Sequence, residues 1–434
     1  MRPCPTPAAR MAAALLTLAL GCLLAVAASA QPYLSFDNLT YAVVGGRPLH
    51  LSLRVPLDAS PADPVPCVVW IHGGGWSSGS SLPVPARALR LVTEERIAVA
   101  SVDYRLTSEA GQYGGEPVIF PAQIHDVKGA IRWLRANANT YGLDPGRFGA
   151  WGSSAGGHLA ALAGTSAGIA RLEGVVGGNL GQSSALRVFA DYYGPTDILN
   201  MNLLVTDPPG SAIDHDAPSS PESRLIGWDD PGQGIGDIRA HQNDPNPPYP
   251  ELVARTRDAN PITHVNPLDP PGFIAHGTED TSVPLGCSRL LDIALTAAHV
   301  THDYRVVEGA GHGSLGTAID DAAIAFLASR LAGGTAVAEP PPATEHAGAL
   351  LAWPNPAVRG TGITFGAGVG LAGAPLAIFD AAGRLVTSLR LGPEGTASWD
   401  GHTDSGGSAA AGVYLVEIRA GGGAARGTRV VVTR

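Results

Sequence analysis

Apolar and polar positions follow one set of spacings over the first three quarters of this chain and another over the last quarter. Residues 49–55 alternate in period two, the pattern of a half-buried strand. Residues 67–71 and 97–102 are continuous apolar runs, suited to strands covered on both faces. Residues 121–137 place Ile124, Val127, Ile131 and Leu134 on one helical stripe. A short strand over 148–151 runs into a helix of small residues over 155–163. Further on, 272–275 and 303–307 read as strands, and 285–298 and 318–331 as helices. Strands alternating with helices predict an α/β domain over residues 31–332, with a mostly parallel sheet and helices on both faces. Residues 200–260 break the alternation: they are rich in Pro, Gly, Asp and Asn, and too long for a simple loop, so a cap or ordered excursion is expected. Residues 333–347, with Pro340-Pro341-Pro342, have linker composition. Over 348–434 the spacing changes to short strands between Gly, Asn and Asp turns. The candidates are 376–379, 385–391, 413–418 and 428–432, predicting a small β-sandwich.

Composition narrows this picture. With 45% hydrophobic and 15% charged residues, the 434-residue chain has the balance of folded cores rather than disorder. A formal net charge of −10 argues against a nucleic-acid partner, which needs a basic face to neutralise phosphates. Residues 1–30 read as a secretory signal. Arg2 and Arg10 are the only charges before an apolar run over 11–28, and Ala28-Ser29-Ala30 is a small-x-small cleavage site. The expectation is an exported bacterial protein, secreted or at the cell surface, with a mature chain starting at Gln31; a retained membrane anchor is the alternative. Cys67 and Cys287 then remain, and read as two separate buried thiols rather than a disulfide. No Cys/His spacing suggests zinc, and Asp214-His215-Asp216 reads as a solvated acidic loop rather than a metal site.

Candidate chemistry gathers after the predicted strands. Gly152-Ser153-Ser154-Ala155-Gly156 matches G-x-S-x-G between a strand and a helix, a turn that stands the Ser154 hydroxyl clear of a sheet. His72-Gly73-Gly74-Gly75-Trp76 follows the strand ending at Ile71, and its glycines expose backbone N–H groups to a developing oxyanion. A serine nucleophile needs a base, and the base needs a partner that fixes its tautomer. Asp280, in His276-Gly277-Thr278-Glu279-Asp280, leaves one late strand; Glu279 is its competitor. His312, in Gly309-Ala310-Gly311-His312-Gly313, follows the next. His158 and His276 are read as structural, and His299 and His302 as surface residues. Ser154, Asp280 and His312 thus follow three different strands, whose loops share one edge in an open parallel sheet.

At these residues the chain resembles the α/β-hydrolase superfamily, and within it the bifunctional feruloyl and acetyl xylan esterase-like carboxylesterases with an HGGGW-type oxyanion loop. The resemblance extends through Val102-Asp103-Tyr104-Arg105-Leu106, Phe120 to Lys128, Ala130 to Arg135, Trp151 to Leu159 and Ala259 to Thr263, covering roughly residues 39–331. It implies an α/β-hydrolase fold and ester hydrolysis through an acyl-enzyme without a cofactor. Ser154 would attack, His312 would act as base and then acid, and Asp280 would orient His312. The N–H groups of Gly74, Gly75 and Ala155 would form the oxyanion hole, and Trp76 and Ser153 would contact substrate. The segment 229–251 is longer than usual for the group, which bears on substrate choice. In the tail, Trp353-Pro354-Asn355-Pro356, Ile378 to Arg384, Trp399-Asp400-Gly401 and Ala411-Gly412-Val413-Tyr414 resemble the flagellar hook-cap-type Ig-like domain and C-terminal sorting domains of type IX-secreted proteins. That likeness implies contact with a cell surface or secretion machinery, with a passive spacer as the alternative.

The leading expectation is therefore an exported serine carboxylesterase acting on small acyl esters, including acetyl or feruloyl groups on plant polysaccharide. An amidase, formamidase or peptidase would use the same triad, because the tetrahedral chemistry is shared. A non-catalytic surface-binding protein on the same fold is the third reading, and would have no need of all three triad residues.

Overall fold

The computed structural model describes residues 32–205 and 209–332, and within the C-terminal region residues 351–353, 357–358, 363–366, 373–380, 384–392, 396–404, 406–418 and 426–433. The expected signal and linker lie outside the described residues. An eight-stranded sheet organises residues 32–332. Its strands are β1 (Tyr33–Val44), β2 (Arg47–Pro56), β3 (Val65–Ile71), β4 (Ala98–Val102), β5 (Leu143–Ser153), β6 (Val188–Tyr192), β7 (Gly272–Gly277) and β8 (His302–Val307). The spatial order is β1-β2-β4-β3-β5-β6-β7-β8. From β4 to β8 every pair is parallel; β1–β2 and β2–β4 are antiparallel.

The continuous apolar run of β3 has a simple physical meaning. All seven of its residues are buried. Side chains alternate across a sheet, so Cys67, Val69 and Ile71 enter the core on one face and Val68 and Trp70 the core on the other. The first face is covered by helix Ala122–Ala136, through Ile124, Val127, Ile131 and Leu134, and by helix Ala155–Thr165. The second is covered by helix Ala86–Glu94, through Ala88, Leu91 and Val92, and by helix Thr317–Leu331, through Ile324 and Leu327. Each such aliphatic side chain contributes about 1.5–3 kcal/mol on burial.

Several elements depart from the sequence reading, three of them in the first domain's main layers. β1 and β6 were not anticipated as strands, nor Ala86–Glu94 as a helix. β1 is largely half-exposed, so it lacks a clean alternation. β6 carries the buried Asp191 inside its apolar run. In the excursion over 200–260 the described residues include a 3-10 turn at Ile198–Leu204 and helices Pro221–Ile226, Ile235–Ala240 and Tyr249–Asp258, which form a cap. Within it, residues 214–216 are a solvated loop only in part: Asp214 is exposed, but its two successors are held inward. His215 is completely buried against Glu222, and Asp216 binds Arg239. Cys67 and Cys287 are separate buried thiols, as expected.

The C-terminal region is built of strands, with no helix among the described residues. A five-stranded sheet comprises Ala357–Val358, Arg426–Thr433, Gly412–Ile418, Pro375–Phe379 and Leu385–Arg390, in that order. A three-stranded sheet comprises Thr396–Trp399, Ile363–Gly366 and Leu351–Trp353. Trp399 and Tyr414 meet edge to face at 5.2 Å within a core that includes Phe365, Ile378 and Val416, the filling expected of a small sandwich.

Candidate active site

Ser154 lies where β5 ends and helix Ala155–Thr165 begins. Its backbone is held at φ 57° and ψ −128°, a strained conformation for a non-glycine residue. The strain is sustained by the chain around it. The Ser154 N–H donates to the Tyr192 carbonyl at 2.8 Å, and the Ser154 carbonyl accepts from His158 N–H at 3.0 Å. A methyl group on Gly152 would drive into the Gly156 carbonyl, and one on Gly156 into the Ile71 carbonyl, so the turn closes only with glycine at both positions. The first N–H groups of the following helix have no intrahelical acceptor, and Ala155, the first of them, lines the cleft.

His312, on the loop after β8, places Nε2 2.9 Å from Ser154 Oγ and Nδ1 2.7 Å from Asp280 Oδ2. Asp280, on the loop after β7, is buried and accepts from Ser282 and Val283 N–H at its other oxygen, at 2.8 and 2.9 Å. Burial pushes the Asp280 carboxyl up, but hydrogen bonds from His276 and His312 and from the backbone outweigh it, and hold the group well below the usual carboxylate range. The three residues on three loops are thus brought into one hydrogen-bonded line at the carboxyl edge of the parallel strands. Glu279, the competitor for the acidic position, is not part of it.

The HGGGW loop forms the facing wall. Gly74 and Gly75 have φ of 106° and 57°, and Ser77 and Ser78 N–H groups donate to the Gly74 carbonyl in a tight turn. Gly73 to Ser77, Ser153, Ser154 and Ala155 line a cleft of about 490 Å³ with Tyr193, Glu222, Ser282 and His312. Trp76 borders this cleft with its ring buried. Its indole N–H donates to His158 Nδ1 at 3.1 Å, while His158 Nε2 donates to the Ala259 carbonyl at 2.6 Å. Burial lowers the His158 pKa to about 4, so the ring is neutral and can serve both bonds. Its structural reading therefore gains content: it ties the oxyanion loop to the end of the cap.

Several contributors escaped the sequence reading. His276 is structural, as expected, but it also buttresses the acid. Its Nε2 lies 3.3 Å from Asp280 Oδ2 and 2.9 Å from the Val283 carbonyl, and its Nδ1 meets Ser288 Oγ at 2.7 Å. The i, i+4 spacing of His276 and Asp280 was the available signal. Tyr193 packs its ring 4.7 Å from that of His312 and donates its hydroxyl to the Gly313 carbonyl at 2.7 Å. It follows β6, the strand the sequence reading passed over. Glu222 reaches the cleft from the cap, and the one signal available for it was Ser220-Pro221, a cap residue and a proline at a helix start. Among the described residues no cluster of His, Cys, Asp and Glu is placed to hold a metal ion.

Comparison with known proteins places the chain. The BD-FAE family model matches residues 53–295, more than half of its length, and the FlgD Ig-like domain model matches residues 372–424. His312 lies beyond the first of these stretches. The esterase LipQ of Mycobacterium tuberculosis is 29% identical over 270 residues, covering 62% of this chain and 55% of the relative. The chain thus spans about half the length of the curated relatives it matches. Among solved structures, a truncated carbohydrate esterase from gut microbiota aligns over 70% of this chain and 99% of its own, with 26% identity and a TM-score of 0.57. A bifunctional GH43-CE protein from Bacteroides eggerthii aligns over 69% of this chain and 38% of its own, with 30% identity and a TM-score of 0.56.

Proposed function

The chain belongs to the BD-FAE family, and from that premise we propose that it is a serine carboxylesterase whose catalytic groups are Ser154, His312 and Asp280. The observation that carries the reading is the hydrogen-bonded line from Ser154 Oγ through His312 to Asp280. Ser154 Oγ attacks the ester carbonyl carbon as His312 Nε2 takes its proton. The imidazolium that forms is stabilised by Asp280, which also fixes the tautomer through Nδ1. The carbonyl oxygen becomes negative in the tetrahedral intermediate and is met by N–H groups of Gly74, Gly75 and Ala155; one such donor typically contributes roughly 3 kcal/mol. Collapse breaks the bond to the alcohol oxygen, which leaves with the proton from His312. Water, deprotonated by His312, then hydrolyses the acyl-enzyme and returns Ser154 to its hydroxyl form.

The substrate class we propose is small acyl groups on carbohydrate, acetyl or feruloyl on plant polysaccharide. Its support is the likeness to one solved protein described as a carbohydrate esterase and to another described as a bifunctional GH43-CE protein. Export through residues 1–30, and contact of the C-terminal domain with a cell surface or secretion machinery, belong to the same proposal. The test is hydrolysis of p-nitrophenyl acetate, butyrate and octanoate, methyl ferulate and acetylated xylan by the protein. The expected outcome is turnover of acetate and acetylated xylan that falls with acyl length. A folded protein that turns over no ester, but cleaves the matching amides, would replace this reading with an amidase.

A further inference from the structure

The wall of the cleft holds a carboxylate, Glu222, whose one close ionisable partner among the described residues is His215. Glu222 is the one acidic side chain among the described residues lining the cleft. It is 3% exposed, and its Oε2 is buried without an aligned hydrogen bond. His215 Nδ1 lies 3.2 Å away, itself fully buried and equally unmatched, while its Nε2 faces Ser211 Oγ at 3.5 Å. Helix capping does not use the Glu222 carboxylate. Ser220 Oγ accepts the Ser223 N–H at 3.0 Å, and Ser223 Oγ donates to the Ala217 carbonyl at 2.8 Å.

Burying a carboxylate is costly unless donors reach it. Here Oε2 is turned into the wall against His215, and no described residue makes a hydrogen bond to the other oxygen, Oε1, which is the one left for the cleft. The neighbouring Pro221 packs against Gly75 of the oxyanion loop, so Glu222 stands close to where the ester must lie. The rest of the lining adds the hydroxyls of Ser77, Ser153 and Ser282, the ring of Tyr193 and no lysine or arginine. An acceptor-only group with hydroxyls around it matches a ligand that presents several O–H donors and no negative charge.

Resting on the esterase reading above, we propose that Glu222 accepts hydrogen bonds from hydroxyl groups of the substrate's alcohol half. The cleft thereby selects esters of neutral sugars over esters of simple alcohols or phenols, and rejects esters of anionic sugars. His215 backs the carboxylate and keeps it turned toward the cleft.

The experiment compares wild type, Glu222→Gln and Glu222→Leu on acetylated xylobiose and on p-nitrophenyl acetate, whose leaving group has no hydroxyl to donate before cleavage. Thermal melting of each variant checks folding. In the Leu variant, kcat/KM on the sugar ester falls at least about tenfold further than on the aryl ester, chiefly through KM. The Gln variant, which keeps the shape and one acceptor oxygen, lies between. Free xylobiose, used as a competitive inhibitor, weakens by a similar factor. Both esters falling together, or neither falling more than about twofold, overturns the proposal while leaving the esterase reading intact. Should wild type hydrolyse neither ester, the esterase reading itself fails. Glu222 is then judged by calorimetric binding of xylobiose to wild type and Glu222→Leu: affinity lost in the variant supports it, and equal or absent binding overturns it.

Discussion

Two regions meet over Ser154, and they are built in different ways. The strand-end corner, comprising the turn after β5 and the loops after β7 and β8, is positioned by main chain. Ser154 is pinned by Tyr192 and His158, Asp280 by Ser282 and Val283, and glycines bring Gly152, Gly156 and Ile71 into close approach. The cap over 198–264 is positioned by side chains. Arg239 holds Asp216 and the Leu199 carbonyl, Asn202 holds Asp214, Arg171 holds Asp258, and the Trp228 indole holds Asp237. A corner set by backbone tolerates little change, whereas a cap set by polar side chains can be altered pair by pair. On the proposed reading the chemistry belongs to the first region and substrate choice to the second. His158 is the joint between them, since it binds both Trp76 and Ala259.

That contrast can be broken most sharply at the corner. Ser154→Ala should lower kcat on p-nitrophenyl acetate by a factor on the order of 10⁴ to 10⁶ with unchanged circular dichroism; retention of most of the activity would detach the chemistry from this turn. Asp280→Asn comes next. The His312 tautomer is no longer enforced, and kcat should fall on the order of 10³ to 10⁴-fold, measured at saturating substrate.

Acid pH tests the joint. His158 and His264 each have a pKa lowered to about 4 by burial, against an unfolded value near 6.5. Below 6.5 the unfolded chain takes up protons that the folded one refuses, so stability is full above that pH and declines toward 4. The two groups together remove up to about 3 kcal/mol by pH 5.5. Asp191, raised to about 7 by burial, acts in the opposite sense over the same range, so the test is a comparison of thermal melts between pH 7.5 and 5 for wild type and a His158→Gln, His264→Gln double variant. The wild-type midpoint should fall more steeply toward acid than the variant's, and equal slopes would mean that neither ring is held neutral. The smallest effect belongs to the cap. Arg239→Ala removes hydrogen bonds to Asp216 and Leu199 from a partly buried site. It should cost about 1 kcal/mol in urea unfolding and raise KM severalfold, with kcat little changed. An equal collapse of kcat would show that cap and corner are one unit.

Much of the corner was legible because its requirements are local. G-x-S-x-G, HGGGW and a late His between glycines each announce a sharp turn at a strand end, and the parallel sheet then brings those ends together. The strands that escaped were obscured for physical reasons. Asp191 interrupts the apolar run of β6 and is satisfied in part by the Gly194 N–H, a contact that only the folded chain provides. β1 is an edge strand with a mixed exposure pattern, yet Gly45-Gly46, with both φ positive, was a readable hairpin signal between it and β2. The cap was legible only as an interruption. Its short helices depend on partners distant in sequence, and the burial of His215 against Glu222 follows from that packing rather than from any local pattern.

The central claim is that Ser154 is the nucleophile, and covalent trapping tests it most directly. Wild-type protein treated with a fluorophosphonate and digested for mass spectrometry should carry one adduct, on the peptide residue Ser154, and Ser154→Ala should carry none. An adduct on Ser153 or another serine, or no adduct on an enzyme that still hydrolyses esters, would contradict the account.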